Sequence, residues 1–465
     1  MSDRSRMLRG GARAATGLVV VGVCASAVLL LGQVELPGVE REPVAVTVDS
    51  AQNTARNLVC AGPFAELGAD PARPGVAVPT GSPGVVISGE PAETRGLERA
   101  EGGESPPLVL SAPVEELIGA AQIQAVSTEG LSGAAASACA EPLNEQWLLG
   151  GSTALGVSTT LSLGNPGSVP ATVQISVYDE AGPVDAVQTA GVLVAAGAEQ
   201  TVSLNGYAPE RERLAVRVIS TGAPVTASLG VGQTSGISPF AVSSVTRQLE
   251  PETQLVLPGV ANRSDHGHGP SDSGEGDDFP VVVRALAPAG EEGAARVRAV
   301  DADGRSVDLG EIALADSAVG ELVVPHWPEE AEAVIVEADA PVVAAALGSA
   351  TDEDGHDYEW FAPAPTTTAD LPVAVPVVGG GQLVVVNPGS EEAELVIESA
   401  DGSGKPREQK LPAGAAAVVR APAEARLTSS VPVHAGVRYV SGGTIAGYPI
   451  LAPDPRDGEI TVYTR

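Results

Sequence analysis

Aromatic residues make up only 3% of this 465-residue chain, with 4 Phe, 3 Trp and 6 Tyr, and methionine occurs twice. Sites that cleave sugars generally need aromatic platforms, so this scarcity argues against a glycosidase. It also leaves a core of Ala, Val and Leu, and such small, often β-branched side chains favour sheets over helix bundles. Lysine is nearly missing, with Lys405 and Lys410 the two occurrences. The 59 acidic residues against 26 basic ones give a formal charge of −33, which repels nucleic acid and anionic headgroups. Nucleic acid is therefore not an expected partner. No G-x-S-x-G elbow is present, and "DGSGKP" at 401–406 lacks the first Gly and the Ser/Thr of a phosphate loop, so it reads as a hairpin turn.

Cysteine is also scarce, and the three occurrences fall in different settings. Cys24 lies in the uncharged, mostly apolar run Ala14–Gly32, which follows Arg4, Arg6, Arg9 and Arg13. That run is near the ~20 residues a bilayer needs, and its basic flank should stay cytoplasmic. The expectation is an uncleaved single-pass anchor at 14–32, with a basic cytoplasmic tail at 1–13, a juxtamembrane linker at 33–43 and the rest extracytoplasmic. The alternative is a signal peptide cleaved after "ASA" at 25–27, but the apolar run continues to Leu31. A lipoprotein at Cys24 is set aside because Val23 stands where a small residue is needed. Cys60 and Cys139 fall in the exported part, where oxidising conditions permit a disulfide, and they are expected to pair; the alternative is two separately buried thiols.

What is abundant is repetition. "LSLGNPGSVPATVQISVYDEAGP" at 161–183 returns as "LVVVNPGSEEAELVIESADGSG" at 383–404 and, more weakly, as "LAPAGEEGAARVRAVDADG" at 286–304. Ala171, Val173, Ile175 and Val177 alternate with polar residues, the period of a half-buried strand. Each copy opens on a related lead-in segment ("WLLGG" at 147–151, "LVLPGV" at 255–260, "VAVPVVGGG" at 373–381). After the shared line come a segment that reads as a short hairpin, an apolar strand, and a signature opened by "APV" at 223–225 and 340–342 or "VPV" at 431–433. A period of about 100 residues is too long for one propeller blade and fits a β-sandwich. The predicted fold is all-β: a divergent disulfide-linked unit at 44–145, then tandem Ig-like β-sandwich repeats at 146–249, 250–370 and 371–465. The alternative is a single β-propeller with two blades per repeat, in which "EITVYT" at 459–464 pairs with "VAVTV" at 44–48. Residues 262–278 read as a disordered acidic insertion and 362–372 as a stiff linker.

The "NPG…ATV…VYD…G" line and the "APV" strand, behind an N-terminal apolar segment and the Cys60 and Cys139 regions, resemble an uncharacterised family of membrane-anchored, secreted actinobacterial proteins. The "QWLLGGST…NPG" order is similar to a β-sandwich repeat of bacterial extracellular proteins. The resemblance implies a cell-envelope setting and transfers no functional residues.

Candidate chemistry is thin. In "TDEDGHDYEW", Asp352, Asp354, Asp357 and Glu359 are close enough to raise calcium. Gly355 directly follows Asp354, however, and breaks the EF-hand spacing, so a solvated inter-strand loop is expected. His266 and His268, with Asp265, Asp272 and Asp277, sit in a Gly-rich stretch that offers zinc no supporting shell. His326 beside Trp327, and His434 within a strand, read as packing residues. No catalytic, cofactor-binding or metal-binding residue is assigned, and no cofactor. The expected function is a non-enzymatic envelope protein that scaffolds or binds envelope components, with the cytoplasmic membrane, envelope proteins and wall glycan as partners. The alternatives are a carbohydrate-binding module of the wall and an envelope hydrolase, since 59 acids always allow a carboxylate pair in space.

Overall fold

The alternation at 171–179 is realised as a strand, Ala171–Asp179, with Ala171, Val173, Ile175 and Val177 buried and Thr172 and Gln174 exposed. The computed structural model describes residues 55–452 apart from 71, 74, 100–104, 186–190, 237, 265–275, 278 and 354. It also describes residues 19, 21–23 and 26 and the strands Val44–Asp49 and Glu459–Thr464. Residues Asn53–Pro455 form one compact unit, and Met1–Gln52 with Arg456–Arg465 form another. In the latter, Val44–Asp49 pairs antiparallel with Glu459–Thr464, Val44 opposite Thr464, a pairing expected only within the propeller alternative. Among the described residues no helix is long and apolar enough to cross a membrane; most of the apolar run 14–32 lies outside them.

The chain is all-β, and each repeat builds two antiparallel sheets in one order. In the first repeat, one sheet runs Glu145–Leu149, Ala215–Thr221, Ala171–Asp179, with Gly182–Pro183 and Val192–Val194 on its outer strand. The other runs Ser238–Val245, Thr226–Ser235, Val157–Asn165, Ala198–Ser203. The third repeat reproduces this as Val373–Pro376, Glu424–Ser429, Ala393–Ser399, Arg407–Leu411 and as Thr444–Pro449, His434–Ser441, Gly381–Val386, Ala416–Val419. In the second repeat one 21-residue strand, Ala331–Thr351, serves both sheets: its first half pairs with Glu252–Pro258 and Gly293–Asp301, its second with Val281–Leu286 and His356–Phe361. The disulfide unit follows the same plan in shortened form, as Ala55–Val59, Leu108–Pro113, Glu93–Gly96 and as Ser132–Ala138, Gly119–Ser127, Gly84–Ser88.

This plan explains the repeated lines. The "PV" signature lies where the chain leaves one sheet for the other, between Ala215–Thr221 and Thr226–Ser235 and at the middle of Ala331–Thr351. Proline offers no N–H to a ladder there, and the following valine pairs with the segment ahead of the repeat: Val225 exchanges both backbone bonds with Leu143, and Val433 accepts from Thr367 N–H. Asn165 fixes the "NPG" turn. Its Oδ1 accepts from Gly167 N–H (2.9 Å), and its Nδ2 donates to the carbonyls of Val169 (2.9 Å) and Val194 (3.1 Å). Asn387 does the same with Gly389 N–H, Glu391 O and Leu411 O. Both are fully buried, so these bonds satisfy groups that water does not reach.

Three readings change. The segments read as short hairpins cross between sheets: Val192–Val194 joins Ala171–Asp179, whereas Ala198–Ser203 joins Val157–Asn165. A tight turn between two short strands specifies reversal of the chain but not which sheet receives the second strand. Residues 362–372 are docked, with Ala364 N–H on Val256 O and Thr367 N–H on Val433 O. Of 262–278, residues 265–275 and 278 lie outside the described residues, while Asn262–Ser264 is a strand beside Ser349–Thr351.

Neighbouring units share cores. Trp147, Leu148 and Val216 of the first repeat pack in one cluster with Leu286, Val343 and Trp360 of the second. Val256, Val300 and Ile335 of the second meet Val386 and Ala416 of the third. The third repeat's core in turn contains Ala121, Ala134 and Ala136 of the disulfide unit. Leu97 and Val59 of that unit press on Gly164 of the first repeat, where a Cβ would lie 3.1 Å from Leu97. Glycines at the ends of the lead-in strands serve these junctions. Arg284 Nη1 donates to Gly151 O (2.7 Å) with its guanidinium 4.6 Å from the Trp360 ring centre, and Arg438 approaches Gly259 O at 3.4 Å while pairing with Glu332 at 2.6 Å. Gly259 has φ +89° and faces both Arg438 and the Phe361 ring, so a side chain there would be strained and crowded.

Candidate functional site at the ends of the central strands

The last strand of each unit, Ser132–Ala138, Ser238–Val245, His356–Phe361 and Thr444–Pro449, packs against its counterparts. One side chain, Asp357, ties them together. Its Oδ2 accepts from Ala134 N–H (2.9 Å) and Ile445 N–H (3.3 Å), and its Oδ1 from Val242 N–H (3.2 Å). Gly133 makes room, because a Cβ at that position would lie 2.4 Å from Asp357 Oδ1. Two residues on, Glu359 is fully buried and neither oxygen receives a well-formed hydrogen bond. Burial first, then the Asp357 charge, holds Glu359 well above the ordinary carboxylate range, partly offset by the Ser243 hydroxyl and the Ser244 N–H. Burial likewise raises Asp357, against the pull of its backbone donors.

The acids of "TDEDGHDYEW" therefore do not sit together in a solvated loop. Asp352 is at the turn, accepting from Gly355 N–H (2.9 Å), Asp354 lies outside the described residues, and Asp357 and Glu359 are inside the strand. Strand alternation puts His356, Tyr358 and Trp360 on one face and Asp357, Glu359 and Phe361 on the other. Among the described residues no group of His, Cys, Asp and Glu has the composition to hold a metal ion. His266, His268, Asp265 and Asp272 lie outside the described residues, whereas Asp277 is buried and accepts from Asn262 Nδ2 (3.1 Å) and Trp327 N–H (2.9 Å). His326 is exposed rather than packed, while Trp327 beside it is buried.

Beyond the ends of three central strands lies a cavity of about 240 Å³, lined by Arg247, Gln248, Leu249 and Glu252, by Pro363–Thr366 and Thr368, and by Leu451 and Ala452. Gln248 is committed to structure, donating to Glu250 O (2.7 Å) and accepting from Ala344 N–H (3.2 Å). The Glu252 side chain is exposed at the rim, and desolvation followed by the Glu250 charge raises its carboxyl. His434 borders the site: its Nδ1 is 2.7 Å from Ala364 O, so that nitrogen carries the proton, and Nε2 is left to accept from the Thr366 hydroxyl at 3.4 Å. Burial lowers its pKa.

These shifts predict a two-sided pH dependence. Burial depresses His356 to about 4 and lowers His434, so their contribution is complete above the unfolded value near 6.5 and is lost as pH falls toward 4. Glu359, whose oxygens receive no well-formed hydrogen bond, is raised, so its contribution is complete below the unfolded value and is lost as pH climbs through the folded one. Urea midpoints between pH 4 and 9 should fall on both limbs, and Glu359→Gln should flatten the alkaline limb and raise the midpoint at pH 8. An unchanged alkaline limb in that variant would remove Glu359 from the account.

The cavity was not legible from any motif, because its walls are the segments that follow three separate strands; the signal available was the recurrence of the strands. No curated protein matches the chain. A family model matches residues 97–422, from the disulfide unit through most of the third repeat, so the chain belongs to the family of unknown function DUF5719.

Proposed function

We propose that the protein is a non-enzymatic binding and scaffolding component of the cell envelope, and that its four units close on one another as a single β-propeller with two sheets per unit. The shared cores support closure, since they link each unit to the next and the third repeat back to the disulfide unit. A string of independent Ig-like β-sandwiches leaves those cores unexplained. The observation that carries the binding role is the cavity at the ends of the central strands, whose lining sets the apolar Leu249, Pro363, Pro365 and Leu451 beside the polar Arg247 and Thr368, a mix that suits recognition. Two groups with shifted pKa values elsewhere are engaged in holding units together, Asp357 by its three inter-unit bonds and Glu199 by Arg99 across the contact of the disulfide unit with the first repeat, while Tyr448 is engaged within the third repeat by Pro376 O. The Cys60–Cys139 bond and the basic flank of residues 14–32 support a membrane-anchored chain facing outward, with secretion after cleavage as the alternative.

The full chain should retain envelope glycan or an envelope protein in peptidoglycan pull-down and in crosslinking within intact envelopes. Thr368→Trp, which fills the cavity, should abolish that retention. Clean negatives in both assays, or retention indifferent to the substitution, would sink this reading. Binding to purified wall glycan alone would favour the carbohydrate-binding alternative.

A further inference from the structure

Among the described residues, the basic side chains with neither an ion pair nor a hydrogen bond are Lys405, Arg407, Arg420 and Arg426, and all belong to the third repeat. Residues 371–452 carry nearly as many basic as acidic groups, in a chain whose formal charge is −33. Arg407 and Arg420 line one cleft of about 510 Å³, together with Gly381, Gln382, Gln409, Val418, Val419 and Ala421. Three strands build it: Gly381–Val386, Arg407–Leu411 and Ala416–Val419. Alternation sends Glu408 to the opposite face from Arg407 and Gln409, so no carboxylate lines the cleft. Arg438 Nη2 donates to Gln382 Oε1 at 3.3 Å, which occupies that oxygen and leaves the Gln382 amide N–H groups for a ligand.

We propose that this cleft binds an oxyanion, the phosphate or carboxylate of an anionic sugar. Two guanidinium groups and an amide presented as donors match the paired oxygens of such a group, and arginine's planar fork serves this better than lysine would. The remainder of the surface repels anions, so a cleft of this kind gives a strongly acidic protein a localised point of attachment to an anionic polymer. The inference does not depend on what occupies the cavity at the central strands.

Titration of the full chain with glucose 1-phosphate, glucuronate and neutral glucose, followed calorimetrically, tests it. Saturable binding of one or both anions and none of glucose is expected, and the stronger of the two identifies the oxyanion. Arg407→Gln with Arg420→Gln should weaken binding at least tenfold while the thermal midpoint stays within a degree or two, since both side chains are exposed. The corresponding double lysine variant should recover part of the loss. Absence of saturable binding for both anions at millimolar concentration, or a double Gln variant that binds like the parent, would overturn the proposal.

Discussion

Asp357→Ala should destabilise the protein by about 3–6 kcal/mol, because it strands three buried backbone N–H groups at about 1–3 kcal/mol each, with relaxation recovering part of the cost. Those groups belong to Ala134, Val242 and Ile445, on the central strands of three other units. Asp357→Asn should be nearly as costly. Its amide would present N–H to a surrounding of N–H donors, so isosterism does not rescue it. Denaturant midpoints give the magnitude. The location is read by amide exchange, which should accelerate at residues 134, 242 and 445 more than in the outer strands. A loss below 1 kcal/mol, or acceleration spread evenly over the sheets, would show that the carboxylate is not what fastens the centre.

That centre shows where the sequence was informative and where it fell short. Alternation at Ala171–Asp179 and Ala393–Ser399 is a local property of the pleat, and both strands stand where the pattern puts them. The order of lead-in strand, turn and "PV" strand is likewise legible, since each marks a backbone position with a fixed demand: a left-handed glycine, an Asx turn, a change of sheet. The disulfide unit carries the same mark in Ala112, Pro113 and Val114, at the end of Leu108–Pro113, so its kinship with the repeats was present in the sequence. Assignment of a strand to one sheet or the other was not legible. It depends on which apolar faces meet across units, as Trp147 and Trp360 enter one shared core, and no window of sequence contains both.

The acid-rich stretch misleads for a related reason. Carboxylates next to glycine suggest solvent, yet His356–Phe361 also alternates large aromatic and acidic residues, which is a strand signature once charge is set aside. Burying Asp357 is tolerable only because donors from three other units converge on it, and such convergence is a tertiary fact. Arg284 and Arg438 follow the same logic: each is buried against a lead-in glycine of the preceding repeat, a partner that no local window of sequence contains.

Removal of the Cys60–Cys139 bond should cost about 4–5 kcal/mol, on a chain-entropy estimate for the loop it closes, whose ends are separated by 79 residues. The bond joins the residues just beyond Ala55–Val59 and Ser132–Ala138, the two strands that lead the sheets of the first unit. The native geometry there has independent support, because Val59 and Ala140 exchange both backbone hydrogen bonds alongside it, at 2.8 and 3.0 Å. Cys60→Ala with Cys139→Ala should therefore fold to the same β spectrum, with the lost stability arising mainly from a less constrained unfolded chain. Denaturant titration of the double variant against the oxidised parent measures the difference, and thiol mass spectrometry of the parent establishes that the bond is present. Free thiols in the parent would remove the premise, and an unchanged midpoint in the double variant would show that packing against the neighbouring repeats, rather than the cross-link, holds this unit in place.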